Sequence, residues 1–228
     1  MTASGIVGES TRRSVLCALG AALSVGCLGV IGEEDDEPVQ WTDHPASATV
    51  GYSPRLGPPP EGTTAVVVAF EDPSCRSCAT FSRETLPDLS RDVDEGRLSY
   101  VWRASPGVEP WGGPAARALL AVHDHDPEEF WELKARYYAD RDSFDDETVF
   151  DRTAEVVEAE TSADPDAVLK AMNGGDETIE DHVDRDEAAA RESEVESVPG
   201  FVLFREDEYV TTVFGAQSYD VFEGALEL

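Results

Sequence analysis

The chain has 228 residues, 48 of them acidic against 17 basic, a net charge of −31 and an apolar fraction of 41%. That length and apolar content suit one core with room for a large insertion, and the charge excludes a nucleic-acid-binding role, because phosphate contacts need Lys and Arg. The acids run through the periodic segments instead of one block, and Lys134 and Lys170 are the only lysines; such a surface suits molar salt, where charges are screened within ~3 Å.

Residues 1–31 read as a targeting segment, to be set apart from the fold. Thr11-Arg12-Arg13-Ser14-Val15-Leu16 resembles the twin-arginine export motif, and a moderately apolar stretch follows to Ile31. Ser24-Val25-Gly26-Cys27 resembles a lipobox, which makes Cys27 a candidate lipid anchor; the plain alternative is an uncleaved apolar anchor. Residues 32–38, GEEDDEP, form a charged tether without apolar periodicity. The folded domain is expected over residues 39–228. It begins with a short strand within Val39 to Val50 and a proline-rich loop from Gly51 to Gly62.

Ala65 to Phe70, a run of small and β-branched residues, predicts a buried strand. Glu71-Asp72-Pro73-Ser74 is a turn, and Cys75-Arg76-Ser77-Cys78 opens a helix that Pro87 kinks. Leu98 to Arg103 alternates as a second strand with Tyr100 and Trp102 on one face. From about Glu109 to Glu196 the period is helical. Asp126-Pro127 and Asp164-Pro165 mark two helix starts. Trp111, Trp131 and Tyr137 are placed in the core of this block rather than along a peptide groove. Gly200 to Phe204 and Tyr209 to Phe214 predict a hairpin turning at Glu206-Asp207-Glu208, and Ser218 to Leu226 a closing helix.

Cys75 and Cys78 are the only cysteines after the targeting segment. One short loop gains little stability from a disulfide, so redox chemistry is the better use of the pair. A zinc-type site needs more ligands than two Cys, and His44, His123, His125 and His182 hold no recognisable spacing to them. No metal is expected. At the helix start, unpaired N–H groups and the helix dipole favour a thiolate at Cys75. Cys75 is expected to be the exposed nucleophile and Cys78 the buried resolving thiol; Arg76 either aids the thiolate by its charge or is only a solvated side chain. Asp72 and Glu71 are candidates for taking the Cys78 proton, or else plain surface acids.

The strand–Cys75-x-x-Cys78–helix unit, the late Val198-Pro199 before an apolar strand and the long helical segment between them resemble the thioredoxin-fold superfamily. Within it they resemble the DsbA-like thiol–disulfide oxidoreductases, here of a haloarchaeal type with a twin-arginine signal. The resemblance covers most of the chain after about Gln40. It departs at two places: Arg76 stands where many members have Pro, and Ala69 stands where many carry an acid. It implies an α/β thioredoxin-like fold with an inserted α-helical domain at about residues 109–196. It further implies a cis Pro199 facing the thiols and a Val198 backbone that pairs with an extended substrate. The implied activity is dithiol–disulfide exchange with protein thiols outside the cytoplasm, on the outer face of the membrane. Oxidation is the expected direction, a membrane redox partner is expected, and no cofactor is needed beyond the Cys75–Cys78 disulfide. Reductase or isomerase activity uses the same residues. A non-catalytic binder or copper chaperone is the alternative from another class.

Overall fold

The structure is a computed structural model and describes residues 38–228. Arg12, Arg13, Cys27 and nearly all of the acidic tether lie outside the described residues. Five strands form one sheet in the order β1-β3-β2-β4-β5. They are β1 (Arg55–Leu56), β2 (Ala65–Glu71), β3 (Leu98–Ala104), β4 (Gly200–Arg205) and β5 (Glu208–Phe214). β2 and β3 run parallel, β4 is antiparallel to β2, and β1 and β5 are antiparallel edges. β2 is buried along all of its length, which is why it reads as an unbroken apolar run instead of alternating.

The odd positions of β2 (Ala65, Val67 and Ala69) share a face with Tyr100, Phe201 and Leu203. On that face pack α1 (Arg76–Glu84), α2 (Leu86–Asp94) and α8 (Tyr219–Leu226), through Phe81, Leu89 and Phe222. The even positions pack against Trp41, Ala46 and Val50 from the N-terminal segment, and against Ala189 and Ala190 of α7 (Glu177–Glu192). Between β3 and β4 the chain also forms α3 (Gly112–His125), α4 (Pro127–Ala139), α5 (Val149–Glu160) and α6 (Pro165–Met172). Their shared core holds Trp111, Leu119, Phe130 and Tyr137, and receives Trp102 from the sheet. Trp131 is half-buried and packs against this core and the sheet core alike. Helix starts follow from local chemistry. Asp126, Asp164 and Asp176 accept hydrogen bonds from first-turn N–H groups, and Pro127 and Pro165 follow the first two. Among the described residues no helix is long and apolar enough to cross a membrane.

Three expectations need correction. Val39 to Val50 forms no strand: only Gln40 bridges, to Glu208, and short 3-10 turns follow at Trp41–Asp43, Pro45–Ser47 and Val50–Tyr52. Pro45 has no N–H to offer a ladder, and the His44 imidazole takes the Ala46 N–H at 3.1 Å. The loop from Gly51 to Gly62 contains the edge strand β1. The helix after Cys75 is two helices, broken at Thr85, with Pro87 in the first turn of the second.

A buried ion pair joins the layers. Arg103 Nε lies 2.6 Å from Asp186 Oδ1, and both side chains are fully buried. Arg103 also donates to Ala46 O and Thr49 Oγ1, while Asp186 accepts the Ala104 N–H. The N-terminal segment, β3 and α7 therefore meet at one point. Val39–Trp41 in turn lies along the tip of the β4–β5 hairpin: Tyr209 N–H donates to Val39 O and Trp41 N–H to Asp207 O.

Candidate active site

The site grows from the end of β2. Asp72 is fully buried, and its two oxygens are filled by four donors. Oδ1 accepts from Ser74 N–H at 2.7 Å and Ser74 Oγ at 2.6 Å; Oδ2 accepts from Gly107 and Val108 N–H, each at 2.8 Å. Asp72 thus pins the turn before Cys75 to the loop after β3. Gly112 closes over this knot, where any Cβ would collide with Asp72 Oδ1 and Ser74 Oγ. Arg141, from the turn after α4, adds a hydrogen bond from Nε to Ser74 O at 2.6 Å.

Cys75 caps α1. Its backbone is extended, and its Sγ accepts the Cys78 N–H at 3.2 Å. The Cys75 thiol donates to Val198 O at 3.5 Å, and the Val198–Pro199 peptide is cis. Both thiols are free. Cys75, Cys78, Ala79 and Tyr138 form a small apolar cluster with Val198 packed against it. The expectation of an exposed nucleophile is corrected in degree, since Cys75 is only 4% exposed and Cys78 not at all.

The two thiols are electrostatically unequal. Cys75 is lowered from the ordinary thiol value, first by the hydrogen bond with the Cys78 thiol and then by the Cys78 and Ser77 N–H groups, against the opposing effect of burial. Cys78 is pushed far up by burial, then by its hydrogen bond to Cys75 and the charge of Glu71. Arg76 is not among the groups that lower Cys75. Its guanidinium turns outward to Asp142 at 3.2 Å, and its side chain is 74% exposed.

Glu71 is no surface acid. It is fully buried and accepts from Tyr100 Oη at 2.6 Å and Tyr138 Oη at 2.8 Å, with Lys134 Nζ 3.0 Å away. Burial and the Glu71 charge push both tyrosines well above their usual range, so they stay protonated donors. Lys134 Nζ also lies 5.2–5.9 Å from the ring centroids of Tyr138, Trp131 and Tyr100. Sequence reasoning missed Lys134, Tyr138 and Arg141. One signal was present: Lys134 is one of two lysines in an acid-rich chain, and it sits among aromatic residues. Among the described residues no group of three or more His, Cys, Asp or Glu is arranged to hold a metal.

A dithiol capping a helix, facing a cis proline, on a sheet with a helical insertion between β3 and β4, defines a thioredoxin-fold protein built like the DsbA proteins. The family model described as thioredoxin matches residues 60–227, and the chain belongs to that family. Solved structures agree on the fold. BdbD from Bacillus subtilis, in its oxidised form, superposes with a TM-score of 0.66 at 20% identity, over 78% of this chain and 93% of its own. DsbA from Chlamydia trachomatis gives 0.63 at 22% identity over 78% and 89%. Wolbachia pipientis alpha-DsbA1 gives 0.62 at 20% over 77% and 89%. No curated protein matches the chain.

Proposed function

We propose that the protein is an extracytoplasmic thiol–disulfide oxidoreductase that oxidises protein thiols. The observation that carries this reading is the unequal pair: Cys75 lowered, Cys78 raised, on one helix start beside Val198. In the oxidised state a substrate thiolate attacks Cys75 Sγ. The Cys75–Cys78 bond breaks, and Cys78 leaves with the electron pair and takes a proton. A second substrate thiolate then attacks the substrate sulfur of the mixed disulfide and expels Cys75 as a thiolate. The substrate loses two electrons and the protein gains them. A stabilised Cys75 thiolate is a good leaving group and favours the reduced protein, which makes the disulfide oxidising.

Val198 offers its backbone to the extended substrate beside Cys75, with Pro199 holding that loop. Of the two acids, Glu71 is the better placed to pass the Cys78 proton, with Lys134 and the two tyrosine hydroxyls around it; Asp72 serves the turn. A membrane redox partner reoxidises the pair. Export by Arg12-Arg13 and anchoring at Cys27 would put the domain on the outer face of the cell membrane, in a salt-loving cell.

The test is equilibration with glutathione buffers and quantification of the dithiol and disulfide forms. A potential more oxidising than the glutathione couple supports an oxidase; a strongly reducing one assigns the protein to reduction. Cys75→Ser should abolish exchange, and Cys78→Ser should accumulate mixed disulfides. Trapping through Cys78 with turnover intact in Cys75→Ser would reverse the assignment. Arg12→Lys with Arg13→Lys should leave precursor inside the cell, and Cys27→Ser should release the protein from membranes.

A further inference from the structure

A cleft of about 490 Å³ opens between α1 and the turn after α4. Ala79 and Tyr138 wall both this cleft and the thiol cluster, so the cleft adjoins the redox centre. Three of the chain's 17 basic residues line it: Arg76, Arg83 and Arg141. In a chain of net charge −31 this is a concentration of cations at one place.

The arginines are arranged to hold a carboxylate. Asp142 Oδ1 sits between two guanidiniums, 3.2 Å from Arg76 Nη2 and 2.9 Å from Arg141 Nη1. Arg141 is fixed by its bond to Ser74 O and is only 15% exposed. Asp142 is 76% exposed, and so open an ion pair is weak and exchangeable. Asp140 also lines the cleft, but Arg136 engages it at 3.3 Å. Arg83 is exposed and has no carboxylate within ion-pair distance among the described residues. It stands seven residues along α1 from Arg76, about 10 Å at the helical rise. Roughly three residues of extended chain span that distance.

We infer that this cleft receives an acidic stretch of the substrate polypeptide close in sequence to its reacting cysteine. Asp142 holds the two-arginine position until a substrate carboxylate takes it. Elsewhere the acidic surface repels such a chain, so the cleft decides how an acidic substrate docks. The inference rests on the redox reading and names its substrate class.

The experiment reduces the oxidised full-length protein with three dithiol peptides that differ only in flanking residues: Glu, Gln or Lys. The buffer holds 1 M salt, which screens the whole-protein field within ~3 Å and weakens contact pairs less than distant ones. The Glu peptide should react about three-fold faster than the Gln peptide, the scale of one or two exposed ion pairs. Asp142→Asn should widen that ratio. Arg83→Glu should remove it and favour the Lys peptide, a reversal that lost folding cannot produce. Reaction with the Gln peptide but no gain for Glu, or a gain that survives Arg83→Glu, would overturn this inference alone. No reaction with any peptide would overturn the redox reading and this inference with it.

Discussion

Replacing Glu71 by Gln tests the polar network beneath the thiols. The substitution keeps size and one carbonyl acceptor but removes the charge facing Lys134 at 3.0 Å. Lys134 is only 2% exposed, so bulk solvent does not reach its ammonium. One of the hydroxyls of Tyr100 and Tyr138 would also meet an NH₂ group in place of an oxygen. Breaking a buried pair in this way costs about 3–5 kcal/mol, a large part of the ~5–15 kcal/mol that holds a domain. With a slope of about 2 kcal/mol/M, the urea midpoint should fall by about 1.5–2.5 M. Adding Lys134→Met should recover more than half of the loss, because the stranded ammonium is gone. The Glu71 charge helps hold Cys78 protonated, so Glu71→Gln should also lower the Cys78 pKa. The assay is urea unfolding of both variants by tryptophan fluorescence, with thiol titration of the reduced protein. A single-variant loss below about 1 kcal/mol, or no recovery in the double variant, would refute the picture of a coupled buried pair.

Asp72→Ala should strip the Ser74, Gly107 and Val108 N–H groups of their acceptor and destabilise the protein by about 2–4 kcal/mol; calorimetry that finds no change would show that water replaces the carboxylate. The reduced protein should have a pH-dependent stability that the oxidised one lacks. Cys75 is lowered, so stability should rise with pH from its folded value up to the ordinary thiol value near ~8.5, and be lost again as pH falls through the folded value. Cys78 is raised, so above that ordinary value the unfolded chain ionises first and stability should decline; unfolding curves of both redox forms across pH 5 to 10 decide it. Lowering the salt should loosen the acidic helical block before the sheet, read by circular dichroism, and activity on a small disulfide should outlast activity on proteins. Full helicity and equal activities at millimolar salt would make the −31 charge incidental to stability.

The sheet and the helical block were legible because their signals are local: a β-branched run for β2, Asp-Pro starts for α4 and α6, an acidic turn for the hairpin. The Cys-x-x-Cys helix start was legible for the same reason. The N-terminal segment was misread because its backbone is captured by His44 and Pro45. Lys134 and Arg141 escaped notice because their partners, Glu71 and Ser74, lie more than sixty residues away in sequence, and no period marks such a contact. Asp186 escaped for a similar reason. It is an acid among many on α7, and only the fold shows that it alone faces Arg103. In an acid-rich chain the structural carboxylates are hidden by the number of solvated ones.

The pairing of Val39–Trp41 with the hairpin tip has a consequence for orientation. The tip lies beside Ala65, where β2 begins, because Ala65 pairs with Arg205. Cys75 lies past the other end of the same strand, about 23 Å away along seven residues. The described chain therefore begins at one end of β2, with the reactive sulfur beyond the other. A pull on the chain at residue 38 would act on the hairpin tip and leave the thiol face clear. Under the proposed anchoring, large clients would meet that face head-on, and a recycling partner in the membrane would have to reach up to it.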